Sequence, residues 1–327
     1  MNILKHHATL ILAAALLALG AAFPASAAEG RFERTLQVTG PVELEVRTGS
    51  GSIDVRTGDA ATVLVVGTIR TSGKWSGGDD AEKKVRYLES NPPIEQHGNI
   101  INIGHIEDHA LEHNVSISYE IVTPQATRLH SGTGSGPQTI EGVQGPLDAS
   151  SGSGNLRIAR IGDEVKASTG SGRIELNGVQ GRVQAATGSG TIRALGVAGG
   201  LRASTGSGDV TLEQTVPGDV EVSTGSGNIE LRGVHGEVRA QTASGNISVE
   251  GEGTGSWKLG TASGGITVRL PAKQGFTLRA ESVSGSIHTT REITVQGTLG
   301  NHRLEGKVGD GAFLLEVSTV SGPIRIE

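Results

Sequence analysis

Residues 172–190 read Gly172-Arg173-Ile174-Glu175-Leu176-Asn177-Gly178-Val179-Gln180-Gly181-Arg182-Val183-Gln184-Ala185-Ala186-Thr187-Gly188-Ser189-Gly190, and they contain one complete structural unit. Ile174 and Leu176 alternate with polar neighbours, the period-2 pattern of a half-buried strand. Val183 and Ala185 alternate with Arg182 and Gln184 in a second strand. Gly178 and Gly181 mark one corner, and Thr187-Gly188-Ser189-Gly190 marks the other. Glycine is expected at both because a tight corner calls for positive φ, which Gly reaches without steric cost.

The unit recurs along most of the chain. Taking the last glycine of each T/S-G-S-G group as a marker gives Gly136, Gly154, Gly172, Gly190, Gly208, Gly227, Gly245, Gly264 and Gly285, at spacings of 18, 18, 18, 18, 19, 18, 19 and 21. Gly322 follows after 37, near two further periods, and Gly51 stands as an isolated early copy. Such spacing predicts an all-β fold, a single-stranded β-solenoid of ~18-residue rungs in which each rung covers its neighbours' apolar side chains. Parallel connections are overwhelmingly right-handed, so a right-handed β-helix is expected.

Stacking the units aligns like with like. Leu156, Ile174, Ile192, Val210 and Ile229 fall in one column, and Ala149, Ala167, Ala185 and Ala203 in an opposing one. Outward columns alternate in sign: Arg157, Glu175 and Arg193 in one, Arg202, Glu221 and Arg239 in another. Opposite charges on adjacent strands favour this register by a few tenths of a kcal/mol each. Composition agrees. Glycine is 51 of 327 residues and aromatics only 2%, so the core must be a narrow aliphatic one.

The flanks differ from the repeat. Lys5, His6 and His7, an apolar run over Leu10–Leu19, and Ala25-Ser26-Ala27 match a secretory signal peptide, expected to span residues 1–28. The run is too short to span a bilayer, and no second apolar stretch predicts a transmembrane segment. Residues 29–130 are expected to form a β-rich N-terminal cap with one helix near 79–90, where Asp79 and Glu82 take capping-box positions and Asn91-Pro92-Pro93 ends it. Residues 131–327 form the solenoid, with Pro323–Glu327 read as its closing edge strand, short of one donor at the proline. Export predicts the periplasm or the cell surface, the former slightly favoured.

With no cysteine, disulfides and thiolate metal sites are excluded. The mildly acidic balance, −6 overall, argues against nucleic acid, whose binders concentrate basic charge. The segment Asn114-Val115-Ser116-Ile117-Ser118-Tyr119-Glu120-Ile121, running into Pro124 and the T-G-S-G-x-I-x-V repeats, resembles a bacterial envelope family labelled "putative adhesin", a domain of unknown function. The resemblance implies a β-strand-repeat fold from about Phe32 onwards and carries no catalytic or cofactor-binding residues.

Candidate sites are few. Ser135, Ser153, Ser171 and their equivalents through Ser284 precede each marker glycine and are read as a hydroxyl ladder completing the turn, with a binding strip for glycan or peptide as the functional alternative. His105, His109 and His113, interleaved with Glu107, Asp108 and Glu112, have the spacing and ligand chemistry for zinc, copper or nickel; a polar excursion between strands is the favoured reading, and no cofactor is expected. Asp148, Asp209 and Asp219 are scattered singly, whereas a polysaccharide lyase or hydrolase needs clustered acids. The expectation is therefore a non-enzymatic envelope scaffold or adhesin, whose partner is an envelope or extracellular glycan or protein; a carbohydrate-active enzyme is the alternative.

Overall fold

The computed structural model describes residues 28–71, 78–106, 114–295 and 302–327. Among them, two mainly parallel sheets of 14 and 15 strands face each other. Through the middle of the chain every rung gives one strand to each sheet. Ile174–Val179 lies in the first sheet and Val183–Thr187 in the second. The predicted register is the observed one: Ile174 sits beside Ile192, Ile192 beside Val210, and Val210 beside Ile229.

Between the sheets the side chains of Ile174, Leu176, Val183 and Ala185 are buried, as are their equivalents in the neighbouring rungs. Alanines on the second sheet face larger aliphatics on the first, so the spine is thin enough to fill without rings. No aromatic residue occurs between Tyr119 and Trp257. The rings gather at the two ends instead: Phe32 and Tyr119 lie 6.4 Å apart at one, and Phe313 contacts Trp257 and Phe276 at 5.6 and 6.1 Å at the other.

The two corners use glycine for different reasons. At the first, Gly178 adopts φ +69°, and Arg160 holds the equivalent place one rung earlier with φ +54°. At the marker corner Gly245, Gly264 and Gly322 take φ of +157°, +149° and +146°, but in the central rungs from Gly154 to Gly227 φ lies outside the left-handed region, contrary to the expectation from turn chemistry. There the rungs approach so closely that a Cβ on Gly172 would fall on the Gly154 carbonyl oxygen. Stacking distance, not backbone dihedral, excludes other residues.

Both ends depart from sequence order. Val42–Thr48 and Ile53–Thr57 form a rung that stacks directly on Thr127–Thr133 and Gln138–Glu141, so Gly51 lies under Gly136 and is not isolated in space. The residues between them build the outer layers. Ile100–Ile103 and Val115–Thr123 cover that rung. Thr62–Thr71 and then Glu29–Gln37 pair antiparallel beyond them. Helix Gly78–Ser90 places buried Val85 and Leu88 against the end.

At the other end, Leu314–Ser321 runs between Trp257–Ser263 and Phe276–Ser282, and Ile324–Ile326 between Ile266–Arg269 and Ile287–Thr289. The last strand is therefore interior, correcting its reading as an edge. The Pro323 carbonyl accepts the Ile266 N–H at 2.9 Å. Within the 37-residue gap, Arg303–Val308 and Thr294–Val295 pair antiparallel on the outer side of Phe276–Ser282, and the chain then returns to a place already flanked on both sides.

Candidate functional site

The hydroxyl ladder exists, but it is built by a different column. Thr169, Thr187, Thr205 and their equivalents, three residues before each marker glycine, are buried. The Thr187 hydroxyl accepts the Gly190 N–H at 3.1 Å and donates to the Gly172 carbonyl one rung back at 3.0 Å. Thr169 does the same with Gly172 and Gly154 at 3.2 and 3.0 Å. The serines expected in this role are exposed in every rung from Ser135 to Ser284. They form a Gly-Ser ridge along one edge of the stack, joined to the neighbouring rungs through their backbone groups.

The outer face of the second sheet adjoins this ridge and has two halves. Nearest the ridge, Ser150, Ser168, Ala186, Ser204 and Ser223 follow one another in register, a column of small side chains, all exposed but the half-buried Ser168. Farther away the column His130, Asp148, Lys166, Gln184, Arg202, Glu221, Arg239 is charged. Lys166 meets Asp148 at 3.7 Å and Arg202 meets Glu221 at 2.6 Å, and Arg157 meets Glu175 at 3.3 Å on the other sheet. All these pairs are exposed and each is worth about 1 kcal/mol at most.

Two recesses open beside the charged column, one at Gly200, which has no side chain, and one at Pro146, whose ring is short. At Gly200 a cavity of about 290 Å³ lies between Arg182, Arg202, Arg239, Asp219, Glu221 and Glu237. At Pro146 one of about 150 Å³ lies between Arg128, Asp148, Glu164, Lys166 and Arg182. Three rungs separate them, or about 14 Å at ~4.8 Å per rung.

The other candidates do not converge. His105 is exposed after strand Ile100–Ile103, while His109 and His113, with Glu107, Asp108 and Glu112, lie outside the described residues. Among the described residues no group of three or more His, Asp or Glu is placed to hold a metal. Asp148 is paired with Lys166, Asp209 accepts the Asn228 N–H at 2.7 Å, and Asp219 accepts the Glu237 N–H at 3.1 Å. Composition gave no hint of Tyr119, whose buried hydroxyl finds no hydrogen-bond partner among the described residues; burial pushes its ionisation well above the ordinary phenol range.

Comparison with known proteins follows the fold. The family model described as Toastrack DUF4097 matches residues 33–327. The chain belongs to this family. Its Toastrack architecture is the two-sheet repeat stack described above, which agrees with the family resemblance read from the repeats. No curated protein is detectably similar in sequence. Among solved structures, a "putative lipid binding protein" from Parabacteroides distasonis ATCC 8503 is 16% identical, with a TM-score of 0.46 over 91% of this chain and 97% of that one. A "putative cell adhesion protein" from Clostridium sporogenes ATCC 15579 is 16% identical, with a TM-score of 0.18 over 90% and 98%. A "putative adhesin" from Bacteroides fragilis NCTC 9343 is 13% identical, with a TM-score of 0.30 over 91% and 97%. Among the described residues of this Toastrack chain, no helix is long and apolar enough to cross a membrane.

Proposed function

We propose that this chain is an exported envelope protein that works by binding rather than catalysis, holding a linear glycan along the outer face of its second sheet. The small-residue column Ser150, Ser168, Ala186, Ser204, Ser223 carries the reading. Exposed strand positions favour β-branched and aromatic side chains, and Ser, Ala and Gly are poor choices there. Folding does not ask for them. A flat strip flanked by the serine ridge and a row of charges suits an extended polymer with many hydroxyls, gripped by repeated weak polar contacts. Asp219, Glu221 and Glu237 do share one recess, but there Glu221 is tied to Arg202 and Asp219 to the Glu237 N–H.

The test is a glycan array read beside a polysaccharide-cleavage assay, with Ser204→Tyr and Ser168→Tyr as variants. Binding without product release, weakened at least tenfold by either tyrosine while thermal stability holds or rises, is the expected result. Release of oligosaccharides would support a carbohydrate-active enzyme instead, and tyrosine variants that bind as well as the parent would remove this face from consideration. Export is tested separately by fractionation, which should recover a chain shortened by residues 1–28 outside the cytoplasm.

A further inference from the structure

Residues 314–326 enter a place whose two walls both precede them in the chain. Leu315 lies between Trp257 and Leu278, Val317 between Leu259 and Ala280, and Ile324 between Ile266 and Ile287. Both walls are parallel to the incoming strands, so neither is a hairpin mate that brings them in as it forms. Until residues 314–326 arrive, the walls present unpaired backbone and uncovered aliphatic side chains to each other.

The place is selective. It buries Leu315, Val317, Ile324 and Ile326. It takes a threonine, because the Thr319 hydroxyl donates to the Gly264 carbonyl at 3.1 Å. It takes a glycine, because a Cβ on Gly322 would fall on the Gly264 carbonyl oxygen. These requirements are the repeat signature itself. The connection that delivers the strands contains Gly309 at φ +57° and Gly311 at φ +71°, a natural pivot between the outer layer and the inserted rung.

We infer that the gap between residues 257–269 and 276–289 is a strand-accepting site specific for the repeat signature, filled here by the chain's own residues 314–326 and open to the same residues of a second copy. Main-chain pairing supplies the attraction and the pockets for alternate side chains supply the selection, as in other cases of strand complementation. Exchange of an identical element between copies needs no new interface, because every contact in the swapped form already exists in the closed monomer.

The absence of native cysteine makes the test direct. Ser263 and Ser321 are register neighbours and both exposed, and parallel neighbours ~4.8 Å apart fall within disulfide reach. Equimolar S263C and S321C chains, unfolded together, refolded at high concentration and then oxidised, should give a disulfide-linked heterodimer at least tenfold above an S189C and S321C control pair. Mixing the two after separate folding should give none above that control. Equal yields for both pairs, or the same yield before and after folding, would overturn the inference. Hydrogen exchange covers the case in which refolding yields aggregate. The Gly264 and Ile266 amides, which donate to Ser321 and Pro323, should exchange at least tenfold faster than those of Ile174 and Ile192, and an S263C/S321C disulfide should slow them. Protection equal to that of the central rungs sinks the proposal as well.

Discussion

Replacing Thr187 by valine exchanges one hydroxyl for a methyl in a column where every gain in apolarity would be counted as stabilising by area alone. The structure predicts the opposite. Two backbone groups lose their partner at once: the Gly190 N–H and the Gly172 carbonyl, held by the same oxygen at 3.1 and 3.0 Å. A buried polar group left unmade costs about 1–3 kcal/mol, the carbonyl toward the lower end because its second lone pair remains available. Together they amount to about 2–4 kcal/mol. The added methyl returns less than about 1 kcal/mol, so the net loss is about 2–3 kcal/mol.

Thr187→Ser supplies the control. It keeps the hydroxyl and deletes a buried methyl, a loss of about 1 kcal/mol. The chain itself uses serine here twice, at Ser151, which accepts the Gly154 N–H at 2.8 Å, and at Ser282, which donates to the Gly322 carbonyl at 3.4 Å. Urea unfolding at equal m-values should therefore rank wild type above T187S and T187S above T187V, and the Gly190 amide should lose its exchange protection only in T187V. A T187V chain as stable as T187S would refute the claim that the threonine column is the mortar between rungs. The double variant T169V/T187V should lose less than the sum of the two, because both changes strip Gly172, which bonds Thr169 through its N–H and Thr187 through its carbonyl.

Gly172→Ala should cost about 3 kcal/mol or more, since its new Cβ meets rigid backbone, whereas Gly49→Ala, with nothing nearby, should stay within ~0.5 kcal/mol in the same urea titration. Tyr119→Phe should stabilise by about 1–3 kcal/mol by removing a buried hydroxyl that has no partner among the described residues. Because burial raises the Tyr119 ionisation in the fold, the unfolded chain gives up that proton first. Wild-type stability should thus fall as pH rises above about 10, and a melting series from pH 8 to 11 should show that component missing in Tyr119→Phe. A double-mutant cycle on Arg202 and Glu221, paired at 2.6 Å but exposed, should return no more than about 1 kcal/mol, and less in high salt.

The period of the stack was legible because in-register parallel strands force each rung to repeat its predecessor's length, and the columns through Ile174 and Ala185 follow at once. The identity of the inner hydroxyl was legible too, from parity. Thr187 continues the inward alternation of Val183 and Ala185, while Ser189 lies beyond the corner where alternation stops. The reading went to serine because serine is as regular as threonine, and regularity alone does not separate a residue that is needed from one that is tolerated. The marker glycines had the opposite difficulty. Their presence is the same whether φ or close approach demands it, and only the neighbouring rung's carbonyl decides. The recesses at Gly200 and Pro146 were out of reach, since each depends on side chains from three neighbouring rungs.

Neither interleaved end could be read in order, yet both follow from what a parallel stack must solve. Its last rung exposes a row of unpaired backbone groups and an aliphatic face, an invitation to aggregation. Ending on another regular rung would only move the problem outward. This chain instead encloses rungs 42–57 and 314–326 between neighbours on both sides and ends its sheets in layers that do not continue the repeat. At one end these are antiparallel strands and a helix whose Glu89 carboxylate accepts the Arg31 N–H at 2.9 Å; at the other, strands of three and two residues, Ile287–Thr289 and Thr294–Val295. Such layers have no identical neighbour to stack on, so their cores need a few large side chains rather than many small ones. That is why the buried aromatic rings lie at the ends, and why a core of aliphatics alone suffices between them.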